Sequence, residues 1–233
     1  MKDLIVSSYA TKTARLMPLY IKQLGDAGID FFLYKLTRDM TWKKLSTVES
    51  FINITKGILK ECVDYKKIVI TDAFDMLFFG TKDELLKKIP DYNILYCADK
   101  NLIPSTMDSG SFPIVNTPWR YVNGGALCGT YESILNFLDH VKFNMTDPRE
   151  IGNTFFNRLL TSQDPGFYID SDCQVFHNMF MDNGEVINID GRPFNKLTGS
   201  FPNFFHFAGI TDWKPFLKEY GIEFTQEKDQ WLN

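Results

Sequence analysis

Two carboxylates, Asp72 and Asp75, follow a short apolar run at residues 68–70 and lie three positions apart. A β-branched run of this length predicts a buried strand, and a strand buried on both faces belongs to a mostly parallel sheet. Ligands of such sheets bind beyond the carboxyl ends of the strands, where these acids stand. Neighbouring carboxylates repel unless a cation or a proton lies between them. The pair therefore predicts a divalent-metal site, with a helix N-cap plus a surface acid as the alternative.

His206, near the end of a late apolar strand, offers a third ligand. Two carboxylates and one imidazole, with open coordination positions, suit Mn²⁺ or Mg²⁺. Such an ion could bridge the oxygens of a nucleotide diphosphate and neutralise charge on a leaving group. The alternative for this residue is a hydrogen-bonded structural histidine.

Other side chains near the same strand ends could form a nucleotide pocket. Tyr9 and Phe74 offer rings for stacking, and Thr11 offers a hydroxyl. Lys56 could reach a diphosphate as a point charge. Each has a structural alternative: the rings as core aromatics, the lysine as part of a solvated helix face.

Polar residues also end or interrupt two later strands. Asp99 ends one, and Asn123 precedes the pair Gly124-Gly125 inside another. Glycine within a strand often marks the close approach of a ligand or of another backbone, although a β-bulge explains it equally. Asp99 and Asn123 could hold sugar hydroxyls, which need both donors and acceptors.

The elements that must position these residues alternate along the chain. Apolar periodicity predicts the following strands: 4–8, 29–36, the run before Asp72, 94–98, 120–129, 167–169, 174–176 and 204–209. It predicts helices over 11–25, from a cap at Ser46 or Thr47 to about Cys62, and over 82–89, 131–141, 150–160 and 213–220. Residues 100–118 form a long loop, in which Pro104 is one of four Pro or Gly residues. The fold class is therefore α/β: one domain over 1–233, with a mixed, mostly parallel sheet flanked by helices.

Composition narrows the function class. The 233 residues carry a net charge of −4, which gives little support to a nucleic-acid partner. No apolar run approaches the length of a membrane span, and the first residues turn polar too quickly for a signal peptide. The four cysteines are far apart and form no CxxC pair, which predicts reduced core residues in a cytoplasmic protein.

The order of these motifs resembles the glycosyltransferase domain of the procollagen lysyl hydroxylase (PLOD) family, which has a GT-A fold. The resemblance covers about residues 4–215. It is carried by Thr-Asp-Ala-Phe-Asp at 71–75, Val-Asn-Gly-Gly-Ala-Leu-Cys-Gly at 122–129 and His-Phe-Ala-Gly at 206–209. These motifs in this order and spacing make a fairly specific signal, whereas any one alone is weak.

The resemblance implies a UDP-sugar donor, Mn²⁺ (or Mg²⁺), and transfer of glucose or galactose to a hydroxyl acceptor on a glycan or a protein. It implies these roles: Asp72, Asp75 and His206 as metal ligands, Phe74 stacking on uracil, Thr11 in the turn on the nucleotide side, Lys56 and Gly209 at the phosphates, and Asp99 and Asn123 in the reacting site.

The sequence departs from the family pattern on the acceptor side. Gly152 and Asn153 stand where many members have an acid and a glutamine at the start of a helix. Residues that could replace the acid are Asp147, Glu150 and Asp172, and we expect a catalytic role for Asp172. In the phosphate loop, Ala208 stands where the family usually has an asparagine, and Asp212 stands where it usually has a lysine. Lys214 could substitute for that lysine.

These features predict a metal-dependent hexosyltransferase that uses a UDP-sugar. The alternative is a nucleotide-sugar-binding protein of the same fold whose catalysis is impaired. A metal-dependent phosphatase is a third class, because paired aspartates after a strand also occur there. It is disfavoured because Asp72 and Asp75 are three positions apart and follow a central strand.

Overall fold

A six-stranded sheet forms the centre of the fold. The computed structural model describes residues 1–13, 15–102, 105–209, 211–225 and 230–231. Its strands are β1 Lys2–Ala10, β2 Lys12–Thr13, β3 Asp30–Lys35, β4 Tyr65–Asp72, β5 Met76–Phe78, β6 Leu95–Asp99, β7 Tyr121–Thr130, β8 Tyr168–Ile169, β9 Phe176–Asn178, β10 Val186–Ile189, β11 Arg192–Asn195, β12 Phe204–His206 and β13 Gln230–Trp231. Its helices are α1 Met17–Asp26, α2 Trp42–Leu45, α3 Val48–Glu61, α4 Lys82–Lys88, α5 Tyr131–Asn144, α6 Gly152–Leu160 and α7 Lys214–Glu219.

The central sheet has the strand order β3-β1-β4-β7-β6-β8, and β7 runs opposite to the others. The α/β class with a mostly parallel sheet is therefore confirmed. Tyr9 at the end of β1 is the register partner of Asp72 at the end of β4. Because these carboxyl ends coincide, side chains from both strands meet at one edge of the sheet.

A three-stranded sheet, in the order β5-β12-β9, carries His206 to the same edge. His206 is the register partner of Met76, the residue after Asp75, and of Asn178 on the other side. The Phe207 backbone N–H donates to the Asp75 carbonyl at 2.8 Å. The histidine thus reaches the aspartate pair through strand pairing, although it lies more than 130 positions further along the chain.

Helices cover both faces of the central sheet. Ile68 and Ile70 of β4 enter the core packed by α3, α5 and α6, whereas Val69 enters the core packed by α1 and α4. This alternation is the period of two expected of a strand, and it explains the continuous apolar run. Burying a side chain of this size contributes about 1.5–3 kcal/mol.

The helix starts on the site side are fixed by caps and by backbone pairing. The Thr47 side chain accepts from the Ser50 N–H, so of the two predicted caps Thr47 is the one used. The Val48 N–H donates to the Glu150 carbonyl at 3.0 Å, and the Gly152 N–H donates to the Ser46 carbonyl at 2.6 Å. These two bonds join the start of α3 to the start of α6.

Most predicted elements are present, with local differences. The helix predicted from residue 11 begins only at Met17, with Pro18 in its first turn, because Lys12–Thr13 pairs with Gln230–Trp231 as a strand. The last strand ends at His206, before Gly209, whose φ of +68° does not fit a strand. The sequence patterns did not predict β5 or the β10–β11 hairpin. Ala14 and Pro104 lie outside the described residues.

All four cysteines are buried and free, as predicted: Cys62, Cys97, Cys128 and Cys173. Among the helices of the described ranges, none combines the length and the apolar character needed to cross a membrane.

Candidate metal and nucleotide site

Asp72, Asp75 and His206 come together at the carboxyl edge of the sheet. One oxygen of each carboxylate and one imidazole nitrogen all lie within 4.8 Å of one another, and all three residues are buried. The distance from His206 Nε2 to Asp75 Oδ1 is 3.2 Å. The convergence predicted from three separate motifs is therefore present.

The turn between the two aspartates is held by its own hydrogen bonds. The Phe74 N–H donates to Asp72 Oδ1 at 3.0 Å, which closes an Asx turn just after β4. Ala73 within this turn is fully buried. The turn directs both carboxylates toward the cavity, and Met76 then starts β5 beside His206.

The electrostatics of the three residues fit a bound cation. Burial, and then repulsion from Asp75, raises the pKa of Asp72 to about 7. Burial opposes protonation of His206, but the charges of Asp75 and Asp72 outweigh it and raise the pKa of the imidazole. Within the described ranges, His206 Nδ1 is buried and has no hydrogen-bond partner, and the buried Asp75 Oδ1 has the 3.2 Å ion-pair contact with His206 Nε2. Two buried carboxylates and an imidazole that face one another make a donor set suited to Mn²⁺ or Mg²⁺.

Gly125 of β7 makes room for the imidazole. A Cβ on this residue would lie 2.7 Å from His206 Nδ1 and 2.9 Å from Nε2. No side chain can be accommodated at those distances unless the ring moves. Gly125 thus makes room for a side chain, which neither reading from sequence named, and the register of β7 against β6 shifts across the glycine pair, as the β-bulge reading predicted.

A cavity of about 1000 Å³ extends from the three residues between the sheet edge, α3 and the start of α6. This volume is at the upper end of the range for small-molecule sites, roughly 300–1000 Å³. The structure brings most of the sequence-predicted residues to its wall: Tyr9, Thr11, Asp72, Phe74, Asp75, Asp99, Asn123, His206 and Gly209.

Lys56 and Asp172 are not among the residues that line this cavity. Phe51, Ile54 and Thr55 of α3 line it, whereas Lys56, one step of about 100° further round the helix from Thr55, is exposed near Asp139 of α5. Asp172 is exposed in the turn between β8 and β9. The neighbouring acid, Asp170, is the buried one, and it accepts from three backbone N–H groups that shape this turn.

Asp99 is the centre of a buried hydrogen-bond network. Its Oδ2 accepts from Asn123 Nδ2 at 3.1 Å and from Asn178 Nδ2 at 2.6 Å. Its Oδ1 accepts from the N–H and the side chain of Asn101 at 2.8 and 3.2 Å. Sequence reasoning missed Asn178 and Asn101. The position of Asn178 at the end of an apolar strand, beside His206, is the signal that could have found it.

The start of α6 forms the opposite wall. Asn153 Oδ1 accepts from the Gly124 N–H at 2.9 Å, and the first turn of the helix carries no acid. Asp147 and Glu150, which could have replaced the missing acid, instead pair with Arg149 and Arg158 outside the cavity. The start of α6 therefore contributes the Asn153 amide and no carboxylate to the cavity wall, beside the apolar side chains of Ile151 and Phe156.

Cations reach the cavity from residues that sequence reasoning did not select, namely Lys12, Arg15 and Lys43. The proposed substitute, Lys214, is not among the lining residues, and its Nζ lies 5.9 Å from the ring centre of Trp213. Asp212 accepts from the Lys214 N–H and serves the start of α7.

Comparisons with known proteins identify the family of the chain. The family model described as "PLOD GT domain" matches residues 35–212. The chain is 26% identical over 155 residues to the Uncharacterized protein R699 of Acanthamoeba polyphaga mimivirus. The aligned region covers 65% of this chain and 33% of that protein. The chain is also 25% identical over 143 residues to human Procollagen-lysine,2-oxoglutarate 5-dioxygenase 2. That aligned region covers 58% of this chain and 19% of that protein. The chain thus spans a third or less of these curated relatives.

A solved structure has the same fold. It is the crystal structure of a glycosyltransferase involved in the glycosylation of the major capsid of PBCV-1, with a TM-score of 0.54 and 8% sequence identity. The match covers 95% of this chain and all of that one. Fold and family match together identify this chain as a glycosyltransferase-type protein that belongs to the PLOD GT domain family.

Proposed function

We propose that this chain transfers a hexose, glucose or galactose, from a UDP-sugar to a hydroxyl acceptor in a reaction that depends on Mn²⁺ or Mg²⁺. The observation that carries the proposal is the buried group of Asp72, Asp75 and His206 at the edge of a cavity of nucleotide-sugar size. We also propose one domain over residues 1–233 and a cytoplasmic location.

Asp72, Asp75 and His206 would hold the metal ion. When bound, the ion supplies Lewis-acid stabilisation of negative charge on the departing diphosphate. The chain's own residues hold the ligand atoms in place: the Asx turn fixes Asp72, the Phe207 N–H fixes the backbone at Asp75, and Gly125 leaves space for His206.

The nucleoside would occupy the part of the cavity next to β1. Phe74 follows Asp72 in the turn and presents a half-buried ring to the cavity, where a uracil could stack on it. Tyr9 and Thr11 line the same region from β1 and from the residue that follows it. Their hydroxyl groups can donate to or accept from the base and the ribose.

The sugar would lie toward β7 and α6. Asp99 holds the amides of Asn123 and Asn178, and the Asn123 Oδ1 accepts from the Gly125 N–H at 2.9 Å. This network fixes polar groups beside the metal ligands before any substrate arrives. Sugar hydroxyls require such a mixture of donors and acceptors, and a fixed arrangement lowers the entropic cost of binding them.

Mn²⁺-dependent hydrolysis of UDP-glucose and UDP-galactose tests the proposal, with the wild-type chain compared with Asp75→Ala. We expect hydrolysis by the wild type only with the metal, and its loss in Asp75→Ala. A thermal-shift series with UDP-sugars and Mn²⁺ supplements it, because a ligand that binds only the folded state raises the melting temperature. Equal rates of UDP-sugar hydrolysis by the wild type and by Asp75→Ala would end the proposal.

A second candidate is a nucleotide-sugar-binding protein with impaired catalysis. The observation that favours it is the start of α6, where Asn153 bonds to the Gly124 backbone and no acid is present in the first turn. Asn153→Asp tests it, because a carboxylate keeps the acceptor for the Gly124 N–H and adds a negative charge to this wall. On this second proposal the wild type binds UDP without turnover. Transfer of a hexose by the wild type would exclude it.

A further inference from the structure

Arg15 contacts two of the segments that build the metal site. Its Nη1 donates to the Gly209 carbonyl at 3.1 Å and lies 3.8 Å from Asp75 Oδ2. Gly209 follows His206 by three positions, so the guanidinium group bridges the aspartate turn and the loop after β12. The side chain is 42% exposed and lines the cavity, so it remains open to a ligand.

The backbone at Arg15 is held in an unfavourable conformation. Its φ of +47° lies in the left-handed region, which side chains with a Cβ rarely occupy. The next residue, Leu16, is fully buried, and its N–H donates to the Phe74 carbonyl at 3.1 Å. The aspartate turn thus anchors the segment that carries Arg15. Strained backbone that its surroundings hold in this way is concentrated at functional sites.

The charges around the cavity leave a role for this guanidinium. A metal ion between Asp72, Asp75 and His206 would offset their negative charge, but a nucleoside diphosphate brings further negative charge of its own. Lys56 and Lys214 do not line the cavity, whereas Lys12, Lys43 and Arg15 do. Arg15 lies beside Asp75 and Gly209, next to the group that would hold the metal ion, and its bond to Gly209 uses one of the five guanidinium N–H donors. The remaining donors suit two phosphate oxygens at once.

We propose that Arg15 binds the diphosphate of the donor nucleotide, next to the metal ion. This inference rests on the proposed function, because it assumes a nucleoside diphosphate in the cavity. The competing explanation is that Arg15 only neutralises Asp75 and so positions a metal ligand. The two explanations differ in their effect on metal binding without nucleotide.

The test is calorimetric and needs no turnover. The affinities of Mn²⁺ alone, of UDP with saturating Mn²⁺ and of UMP with saturating Mn²⁺ are measured for the wild type, Arg15→Gln and Arg15→Lys. For Arg15→Gln we expect UDP binding to weaken about 10–100-fold, the scale of a lost charge-assisted hydrogen bond. We expect a smaller loss for UMP, an intermediate loss in Arg15→Lys, and Mn²⁺ affinity that is unchanged or higher because a positive charge near Asp75 is gone.

Arg149→Gln is the matched control, because Arg149 is exposed on the surface and pairs with Asp147 outside the cavity. It should bind Mn²⁺ and UDP like the wild type. UDP affinity that is unchanged in Arg15→Gln would overturn the inference, and so would a loss of UDP affinity fully matched by a loss of Mn²⁺ affinity. If the wild type itself fails to bind UDP with Mn²⁺, the proposed function fails. If the wild type binds UDP and the variants bind it equally well, only the role of Arg15 fails.

Discussion

Gly125 lies so close to the imidazole of His206 that a single methyl group between them would overlap both ring nitrogens. The two residues belong to different sheets, β7 and β12, so this contact is where the central sheet and the smaller sheet meet at the metal ligands. The position of the histidine therefore depends on the absence of a side chain on a neighbouring strand.

Gly125→Ala should displace His206 and weaken Mn²⁺ binding by about 10-fold or more, the scale seen when groups that orient a metal ligand are changed. Isothermal titration with Mn²⁺ measures it. Gly124→Ala is the matched control: its Cβ would lie 2.7 Å from Asn153 Oδ1, the far end of a side chain that can move away. Mn²⁺ affinity that is equal in the two variants would show that the imidazole adapts or does not bind the ion.

Without metal, the contribution of Asp72 to stability should fall as pH rises from about 4 to about 7. The folded-state pKa of Asp72, raised by burial and by Asp75 to about 7, lies above its ordinary value of 3.8. Between these values the unfolded chain has released the proton that the folded chain still holds, so rising pH favours unfolding. His206 acts in the same direction, because its raised pKa contributes stability that is lost as pH rises through it. The difference in melting temperature between the metal-free wild type and Asp72→Asn, with a chelator from pH 4.5 to 7.5, measures the effect of Asp72. Other buried groups, such as His177 with its lowered pKa, are common to both proteins.

The affinity for Mn²⁺ should increase as pH rises through the same window. Below pH 7 the increase should be about tenfold per pH unit for each proton that metal binding releases. The rise in melting temperature caused by Mn²⁺ should therefore be larger at pH 7.5 than at pH 5.5. Asp72→Asn, which cannot ionise, should remove both the metal effect and the part of the pH dependence due to Asp72. A metal effect that is independent of pH would contradict the assignment of Asp72 as a ligand.

Asp99→Ala should lower the free energy of unfolding by about 2–4 kcal/mol, because the buried amides of Asn123 and Asn178 lose their shared acceptor. Urea unfolding measures this loss. Asp3→Ala is the control: Asp3 is an exposed acid with a 3.8 Å contact to Lys66, and its removal should change stability by less than about 0.5 kcal/mol. Similar stability in the two variants would show that the amides find other partners.

Phe74→Ala should weaken UDP binding with Mn²⁺ by about 5–100-fold, since stacking of a base on an aromatic ring is worth about 1–3 kcal/mol. Phe74→Tyr keeps the ring and should restore most of the affinity. The Asx turn uses only the backbone N–H of residue 74, so both variants should bind Mn²⁺ alone like the wild type. Equal UDP affinity in the wild type and Phe74→Ala would place the base elsewhere in the cavity.

Much of the fold follows from local patterns that tertiary packing reinforces. The apolar run at 68–70 gave β4, the cap at Thr47 gave α3, and Pro90 comes just after α4. The three-residue strands β5 and β9 are harder to predict from sequence. Segments this short carry little pattern of their own and are stabilised by pairing with β12. Strand pairing between distant segments also replaced the first turn of the helix predicted from residue 11.

The candidate metal ligands Asp72, Asp75 and His206 could be predicted because metal binding requires particular residue types, and these lie at or just after the ends of strands. Lys56 was not placed correctly because a helix lysine changes direction by about 100° per position, and the periodicity of α3 did not settle which positions face the cavity. Arg15 could not be found, because its role depends on a left-handed backbone and a contact with a carbonyl almost two hundred positions away. The cytoplasmic location, and the roles assigned to the individual residues, stay predictions.

Two backbone hydrogen bonds join the starts of α3 and α6 into one wall of the cavity. The Asp72 turn lies across the cavity on the sheet edge, and neither bond involves it. On the proposed function, side-chain changes on this wall could alter which hydroxyl compound enters while Asp72, Asp75 and His206 stay in place. Ser46 and Asn153, which line the cavity there, are therefore the starting points for redesigning the acceptor.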